Sequence, residues 1–498
     1  MHNQQTILTI DLGTSSIRAM LFDTQANALP GYLAQLPNKL ETSVDGKAEF
    51  NGQDYFQTAV SVIDQLLAQV QEQAYQGITI GAVAIASMVS NVMGVNEAGE
   101  IVTPLYIYGD TRSRDDAQVL RDELGTQGLA EAHNRTGCLL HTSYLPPRFL
   151  WLQRTDPALL DRVDYWMSIG EYLLWQLTGT RAVSYSVASW SGLLNRQTLT
   201  WDATWLDRLP ISAESLSPLA DVTQPLTGLQ DAWADRWPML ADVPWLPAIG
   251  DGAAANLGSG CDTPQRVAIT IGTTGAMRVV VDPTLDVVPA GLWLYRVDAG
   301  RGLLGGATTE GGNFFAWLNQ TLRLPPGDQL TQQLLALPPA AHGLTILPFI
   351  SGERAPGWND NARPVIHGFN MDTSAVEIVQ AALESIAYRF AIIYGRVQPY
   401  LDQAGNYEII ASGGALLRSP AWLQMMADVF NQPVVSLAET EITARGLAVL
   451  ALDTLNYIEQ GRDLPPATGR VYTPDTGRHH IHTEALTRQT ALYGRLFG

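Results

Sequence analysis

Two segments far apart in this chain are written in one pattern. Ile7 to Ile10 is a short apolar, β-branched run, Asp11–Leu12–Gly13–Thr14–Ser15–Ser16 carries turn chemistry, and Ile17 to Phe22 is apolar again before Asp23. Val267–Ala268–Ile269–Thr270–Ile271 leads into Gly272–Thr273–Thr274–Gly275 in the same way. Laying Gly13 on Gly272 puts Thr14 on Thr273, Ser15 on Thr274, Phe22 on Val281 and Asp23 on Asp282. Each segment reads as a β-hairpin with a polar, glycine-containing tip. Two such units predict two related α/β domains facing one ligand across a cleft, against the alternative of two chance hairpins in a long chain.

Length agrees with a duplicated architecture. A chain of 498 residues exceeds what one hydrophobic core covers, so two domains are expected, residues 1–248 and residues 249–498. Glycine lets backbone N–H groups approach an anion, and small hydroxyls add donors, so the tips can hold phosphate, although most glycine–serine tips do not. Neither is a P-loop, because G-x-x-x-x-G-K-[ST] is missing, and neither leads into a helix as a dinucleotide fingerprint must.

Charge narrows the partners. With 49 acids against 30 bases the net charge is -19, which leaves no basic stripe for nucleic acid. An anionic nucleotide would need amide dipoles, a basic side chain or a metal ion, which favours a Mg²⁺-bound nucleotide. The 2 cysteines, Cys138 and Cys261, lack metal-ligand spacing, and no signal peptide is legible, so a reducing, cytoplasmic setting is expected. The apolar run from Ile78 to Val95 contains Ser87, Ser90 and Asn91 and reads as strand and turn rather than a membrane span.

Between and beyond the hairpins, Asp54 to Gln73 has helical spacing and Ile78 to Ala86 reads as a buried strand. Gly302 to Asn313 reads as a glycine-rich turn, Ser351 to Asn359 as a long polar loop and Ser374 to Tyr400 as a long buried helix. Asp251 stands alone among small residues in Gly250–Asp251–Gly252–Ala253, just before the second hairpin, and is the candidate base. Asp110 and Arg112 follow a strand and could hydrogen-bond a polyol or acid; a salt link or helix cap is equally open. Gly413–Gly414 precede a helix announced by Ser419–Pro420, so an adenine or ribose could lie against that backbone, or the pair could be a simple tight turn.

Together these stretches resemble the FGGY carbohydrate kinases of the actin-like ATPase superfamily. The residues that carry the resemblance are Asp11–Leu12–Gly13–Thr14–Ser15–Ser16, Tyr108–Gly109–Asp110–Thr111–Arg112–Ser113, Gly250–Asp251–Gly252, Gly272–Thr273–Thr274–Gly275, Ser351–Gly352–Glu353–Arg354–Ala355–Pro356 and Ser412–Gly413–Gly414–Ala415, in order across nearly the whole chain. The resemblance implies two ribonuclease-H-like domains with an interdomain cleft, the first binding sugar and the second ATP. It implies Asp251 as the base that takes the sugar hydroxyl proton, and Asp11 as a Mg²⁺ residue acting through water, with Asp251 as its companion. It places Gly13, Thr14, Ser15, Gly272, Thr273 and Thr274 at the phosphates and Gly413 and Gly414 at adenosine. On the sugar side it implies Ser90, Tyr108, Asp110, Arg112 and Tyr144 together with Asp251.

The implied activity is ATP-dependent phosphorylation of a small carbohydrate. The runs Ser351–Asn359, Thr270–Arg278 and Gly250–Gly258 are most similar to gluconokinases, so gluconate is the expected substrate. Xylulose, or another ketose or polyol, is the alternative; gluconokinase and xylulokinase patterns both usually carry a His where this chain has Ser90, so one expected sugar contact is missing or supplied elsewhere. A catalytically silent sugar-binding relative is the alternative outside enzymes. An actin-like chaperone is disfavoured by the short stretch after Gly446, and a kinase-derived regulator by the lack of a basic helix-turn-helix. Expected partners are sugar and ATP, with no nucleic acid and no membrane, and assembly as a homodimer left open.

Overall fold

The computed structural model describes residues 4–72, 77–350, 352–401 and 405–497. Gln73 and Ser351, which close the expected first helix and open the expected polar loop, lie outside the described residues.

Both hairpins form, and each anchors a sheet. In the first half β1 (Gln4–Leu12), β2 (Ser16–Phe22), β3 (Ala28–Pro37), β4 (Ile78–Ser87) and β5 (Ile249–Gly250) stand in the order β5-β4-β1-β2-β3. The pairs β1/β2 and β2/β3 are antiparallel, and β4 runs parallel to both β1 and β5. In the second half β6 (Arg266–Ile271), β7 (Gly275–Val281), β8 (Trp293–Arg296), β9 (Gly302–Thr308), β10 (Glu408–Ser412), β11 (Val434–Leu437) and β12 (Thr468–Tyr472) stand in the order β8-β9-β7-β6-β10-β11-β12. Reading β9-β7-β6-β10-β11 against β3-β2-β1-β4-β5 gives one pattern twice, antiparallel at the first two steps and parallel at the last two. This is the two-domain actin-like arrangement. The first sheet also draws in Ile249–Gly250, just past the middle of the chain.

Helices cover the sheets, which is why the central strands are apolar on both faces. Ile7, Leu8, Ile10 and Leu12 of β1 are all fully buried, as are Val267, Ile269 and Ile271 of β6. Helix α1 (Gly52–Glu72) lays Phe56, Val60, Ile63, Leu67 and Val70 on the first sheet at helical spacing. Helices α2 (Asp251–Gly258), α3 (Gly312–Thr321), α4 (Ala375–Val397), α5 (Gly414–Leu417), α6 (Pro420–Phe430) and α7 (Ile442–Thr454) follow. Helix α4 opens with a capping box, Ser374 accepting from the Glu377 amide, and α6 opens with Ser419 accepting from the Trp422 amide behind Pro420.

Two glycines let the halves meet. A Cβ on Gly258 of α2 would lie 1.7 Å from the Ile442 carbonyl oxygen, and one on Gly446 of α7 1.8 Å from that of Ala254. The helices therefore cross backbone on backbone, and α7 continues onto β1 and β4 of the first sheet.

The expected turn at Gly302–Asn313 is corrected. Gly302 to Thr308 is strand β9, paired with β7 and β8, and only Thr309 to Gly311 connects it to α3. Its glycines answer to crowding: a Cβ on Gly305 would meet the Met277 carbonyl oxygen at 2.3 Å, and one on Gly306 the Ala355 Cβ at 2.8 Å.

Candidate active site

Asp251 is the first residue of α2, delivered by β5 at the end of the first sheet. Its Oδ1 accepts from the Gly252 amide at 2.7 Å, and a helix N-terminus favours a carboxylate there. Burial nevertheless pushes the Asp251 carboxyl up, opposed by the charge of Arg278, the Gly252 amide and Arg354. Asp11, at the end of β1, is pushed up to about 7, first by burial and then by the negative charge of Asp251, with Arg18 pulling the other way. The two carboxylates thus share one electrostatic neighbourhood.

Asp251 opens on a cavity of about 570 Å³ lined from both halves, by Arg18 of the first hairpin, Thr270 and Arg278 of the second, and Gly413 and Gly414. Gly414 and Arg418 are shared with a cavity of about 1000 Å³ whose wall includes Gly272, Thr273, Gly312 and Trp422. A third cavity, about 500 Å³, is lined by Tyr108, His141, Thr274, Thr309, Arg354 and Asp360.

The tips are braced differently. The Gly13 carbonyl accepts from Asn38 Nδ2 at 2.7 Å and the Tyr55 hydroxyl at 2.9 Å, leaving Thr14 half-buried and Ser15 exposed. The second tip is held by backbone, the Gly312 amide donating to the Gly272 carbonyl at 2.8 Å and the Asn313 amide to that of Thr273 at 3.1 Å, with Thr273 and Thr274 exposed. Gly413 ends β10 with φ 90, and a Cβ there would lie 2.5 Å from the Ile271 carbonyl oxygen. Only glycine fits, by conformation and by space.

The sugar-side candidates divide. Tyr108 lines the third cavity, in reach of the charges of Arg354 and Asp251. Tyr144 is buried, its hydroxyl bonded to that of Tyr295. Ser90 donates to the Trp190 carbonyl and so steadies the indole beneath Gly250 and Gly252. Asp110 and Arg112 do not line these three cavities. Asp110 accepts from Arg112 Nε at 3.0 Å and from the Ala48 amide at 3.2 Å, while Arg112 also reaches Glu49 at 2.5 Å and lies 4.5 Å from the Trp151 ring. That cluster ties the loop after Tyr106 to its own domain, which is the salt-link alternative left open by the sequence.

The structure adds residues that were not singled out as contacts. Arg278 stands in β7 and Arg354 in the loop after Gly352, and both act on the Asp251 charge. Trp190 stacks on Tyr295 at 4.0 Å, Tyr295 stacks on Trp293 at 4.4 Å, and the three rings form an aromatic wall between the halves. Arg278 had a signal in the sequence: a lone cation inside the apolar run Ala276 to Val281 needs a reason.

A divalent cation suits Asp11 and Asp251. The charge of Asp251 raises the proton affinity of Asp11, a repulsion that a cation relieves, and among the described residues no group of three or more His, Cys, Asp or Glu could hold a metal by itself. Such an ion would complete its shell with water and phosphate oxygens, as Mg²⁺ does. Among the described residues, no helix is long and apolar enough to cross a membrane.

Comparison with known proteins gives the family. Residues 6–258 match the sequence profile of the FGGY family of carbohydrate kinases, N-terminal domain, and residues 267–454 that of the C-terminal domain. A gluconokinase of Bacillus subtilis is 26% identical over 477 residues, covering 94% of this chain and 91% of that protein. The crystal structure of gluconate kinase from Lactobacillus acidophilus superposes with TM-score 0.89 at 23% identity, covering 99% of this chain and 98% of the other. That of ligand-bound xylulose kinase from Lactobacillus acidophilus superposes with TM-score 0.90 at 24% identity and the same coverage. At these identities the solved structures speak to the fold.

Proposed function

From the premise that this chain belongs to the FGGY family of carbohydrate kinases, we propose that it transfers the γ-phosphate of ATP to a hydroxyl of gluconate. Phosphoryl transfer to a carbohydrate is the family's activity and ATP its donor. The choice of gluconate is supported by the likeness to the Bacillus subtilis gluconokinase.

The position of Asp251 carries the reading. It faces a cavity that runs past Thr270 to Gly413 and Gly414, and its charge reaches Tyr108 and thus the neighbouring cavity. A carboxylate so placed can orient an alcohol and take its proton, which leaves late in a loose phosphoryl-transfer transition state. The tips Gly13–Ser15 and Gly272–Thr274 offer amides and hydroxyls for phosphate, and the larger cavity past Gly414 offers room for adenosine. Asp11 and Asp251 would hold Mg²⁺ through water, and the bound ion would offset phosphate charge. Tyr108 and Tyr144 serve the sugar side; Ser90 serves it through Trp190.

The test is ADP release by the purified protein across gluconate, xylulose and neutral polyols, with the phosphate position in the product read by NMR. The highest kcat/KM is expected for gluconate. ADP release that no sugar raises above background overturns the kinase assignment, and a preference for xylulose replaces the substrate.

A further inference from the structure

The proposed sugar acid poses a question of recognition that a neutral ketose does not: something must receive its carboxylate. Arg278 sits in β7 between Met277 and Val279, both fully buried. Its Nε and Nη1 are buried and meet no hydrogen-bond acceptor among the described residues. Arg148 leaves the same two atoms unpartnered, and Arg296 and Arg389 leave Nε, but each of these donates elsewhere from its guanidinium, Arg148 through Nη2 to the carbonyls of Ile107 and Asp110. Arg196 donates to the carbonyls of Asn134, Pro283 and Leu285, Arg296 to those of Ala299 and Arg196, and Arg389 to the Glu353 carboxylate. Two buried N–H groups without acceptors are costly, and Arg278 also lines the cavity of about 570 Å³, so an acceptor that is not protein suits the place.

Space has been made for it. The Arg278 guanidinium lies over Gly252, where a Cβ would stand 3.1 Å from Nε, 3.3 Å from Nη2 and 2.9 Å from the Trp190 ring. A side chain after Asp251 would therefore clash with the Trp190 ring and crowd the guanidinium. Arg354 acts on both Arg278 and Asp251, has its own Nε buried without a partner, and lies over the Tyr108 and Trp358 rings at 5.6 and 6.0 Å. Of the carboxylates lining the third cavity with Arg354, Glu353 holds Arg389 and the Tyr493 hydroxyl, and Asp360 holds His141 at 2.7 Å through one oxygen. Burial pushes the Arg278 guanidinium down, Asp251 opposes this and Arg354 adds to it. Two cations thus stand beside one base, in a cleft that Glu439 and Glu441 also line.

We propose that the guanidinium of Arg278, with Arg354 beside it, binds the carboxylate of an aldonic acid and so selects sugar acids over neutral sugars. The inference rests on the sugar-kinase reading and sharpens its substrate to a carboxylate-bearing one. Planar guanidinium and planar carboxylate meet in a two-pronged hydrogen bond that a hydroxymethyl or a carbonyl cannot return. Binding the acid end here would hold the chain in one direction, with a distal hydroxyl presented to Asp251.

The experiment compares gluconate with gluconamide, its neutral isostere, in the wild type and in Arg278→Gln, Arg278→Lys and Arg354→Gln. The wild type should favour the acid by about a hundredfold or more in kcat/KM, as sites built to pair a substrate group do. Arg278→Gln should bring that ratio below about tenfold by raising KM for the acid, with Arg278→Lys between them and Arg354→Gln showing a smaller fall in the ratio. Calorimetric titration of each variant with both compounds provides a readout independent of turnover, and circular dichroism confirms folding. An acid-to-amide ratio unchanged in Arg278→Gln, or a rise confined to the KM for ATP, overturns the proposal while leaving the kinase reading standing. A wild type that phosphorylates only neutral sugars ends both this proposal and the choice of gluconate.

Discussion

The two hairpins share a fold and differ in charge. In register, Asp11 of the first stands where the second has Thr270, and Ala19 of the first stands where the second has Arg278. Thr270 bonds to Ser412 at 2.9 Å and Ala19 is fully buried, so at each position one copy is chemically quiet while the other is charged. Bracing differs too, by side chains from Asn38 and Tyr55 at the first tip and by the backbone of Gly312 and Asn313 at the second. A duplicated scaffold thus supplies an anion from one copy and a cation from the other, both toward Asp251, which neither copy contains. The pattern repeats geometry, and the departures from it hold the chemistry.

The largest expected effect removes the residue outside both copies. Asp251→Asn should lower kcat by about a thousandfold, within the range general bases supply, with KM for ATP nearly unchanged; steady-state kinetics check this. Wild-type turnover would return the chemistry to the hairpins alone. Next, Asp11→Asn should raise the Mg²⁺ concentration for half-maximal activity by at least about tenfold, the lower end of what losing even an outer partner costs. Thr270→Val, its counterpart, should leave that concentration unchanged, and equal effects would erase the proposed asymmetry.

The Asp11 carboxyl gives a pH prediction. Its proton leaves at about 7 in the ligand-free protein, and a cation must displace that proton when it is present. Apparent Mg²⁺ affinity should therefore hold above pH 7 and fall by up to about tenfold per pH unit below it, as read from Mg²⁺ titrations at pH 6 and 8. The slope should vanish in Asp11→Asn. Smaller still, Gly413→Ala forces a left-handed residue against the Ile271 carbonyl and should cost about 1–3 kcal/mol of stability, seen as a lower Tm, together with weaker ATP binding. Smallest is the bridge from Arg18 to Glu441 at 2.8 Å, a third exposed on each side; Arg18→Gln should change stability by no more than about 1 kcal/mol.

Local pattern made most of the fold legible. The hairpins, helix α1, the capped helix α4 and the Ser419–Pro420 start are written in apolar spacing and cap residues that need no distant partner. Strand β9 was not legible, because its glycines answer to the Met277 carbonyl and the Ala355 side chain, which only the folded sheet brings near. In the site, Asp251 and the tips could be read because small residues and glycine–threonine turns are local signals. The partners of Asp110 and Arg112, namely Glu49, Ala48 and Trp151, could not be read, since two charges near a strand end look alike whatever they pair with. Arg354 sat inside a recognised loop without announcing its direction.

The crossing of α2 and α7 bears on motion. Where Gly258 and Gly446 touch, there are no rotamers to reset if one helix turns against the other, so tilting about that point leaves packing intact while sliding apart exposes main chain. Asp251 lies about two turns along α2 from the contact, a short lever. Rocking of the two lobes can open and shut the space above the carboxylate and barely displace it, as a door moves much at its edge and little beside its pin.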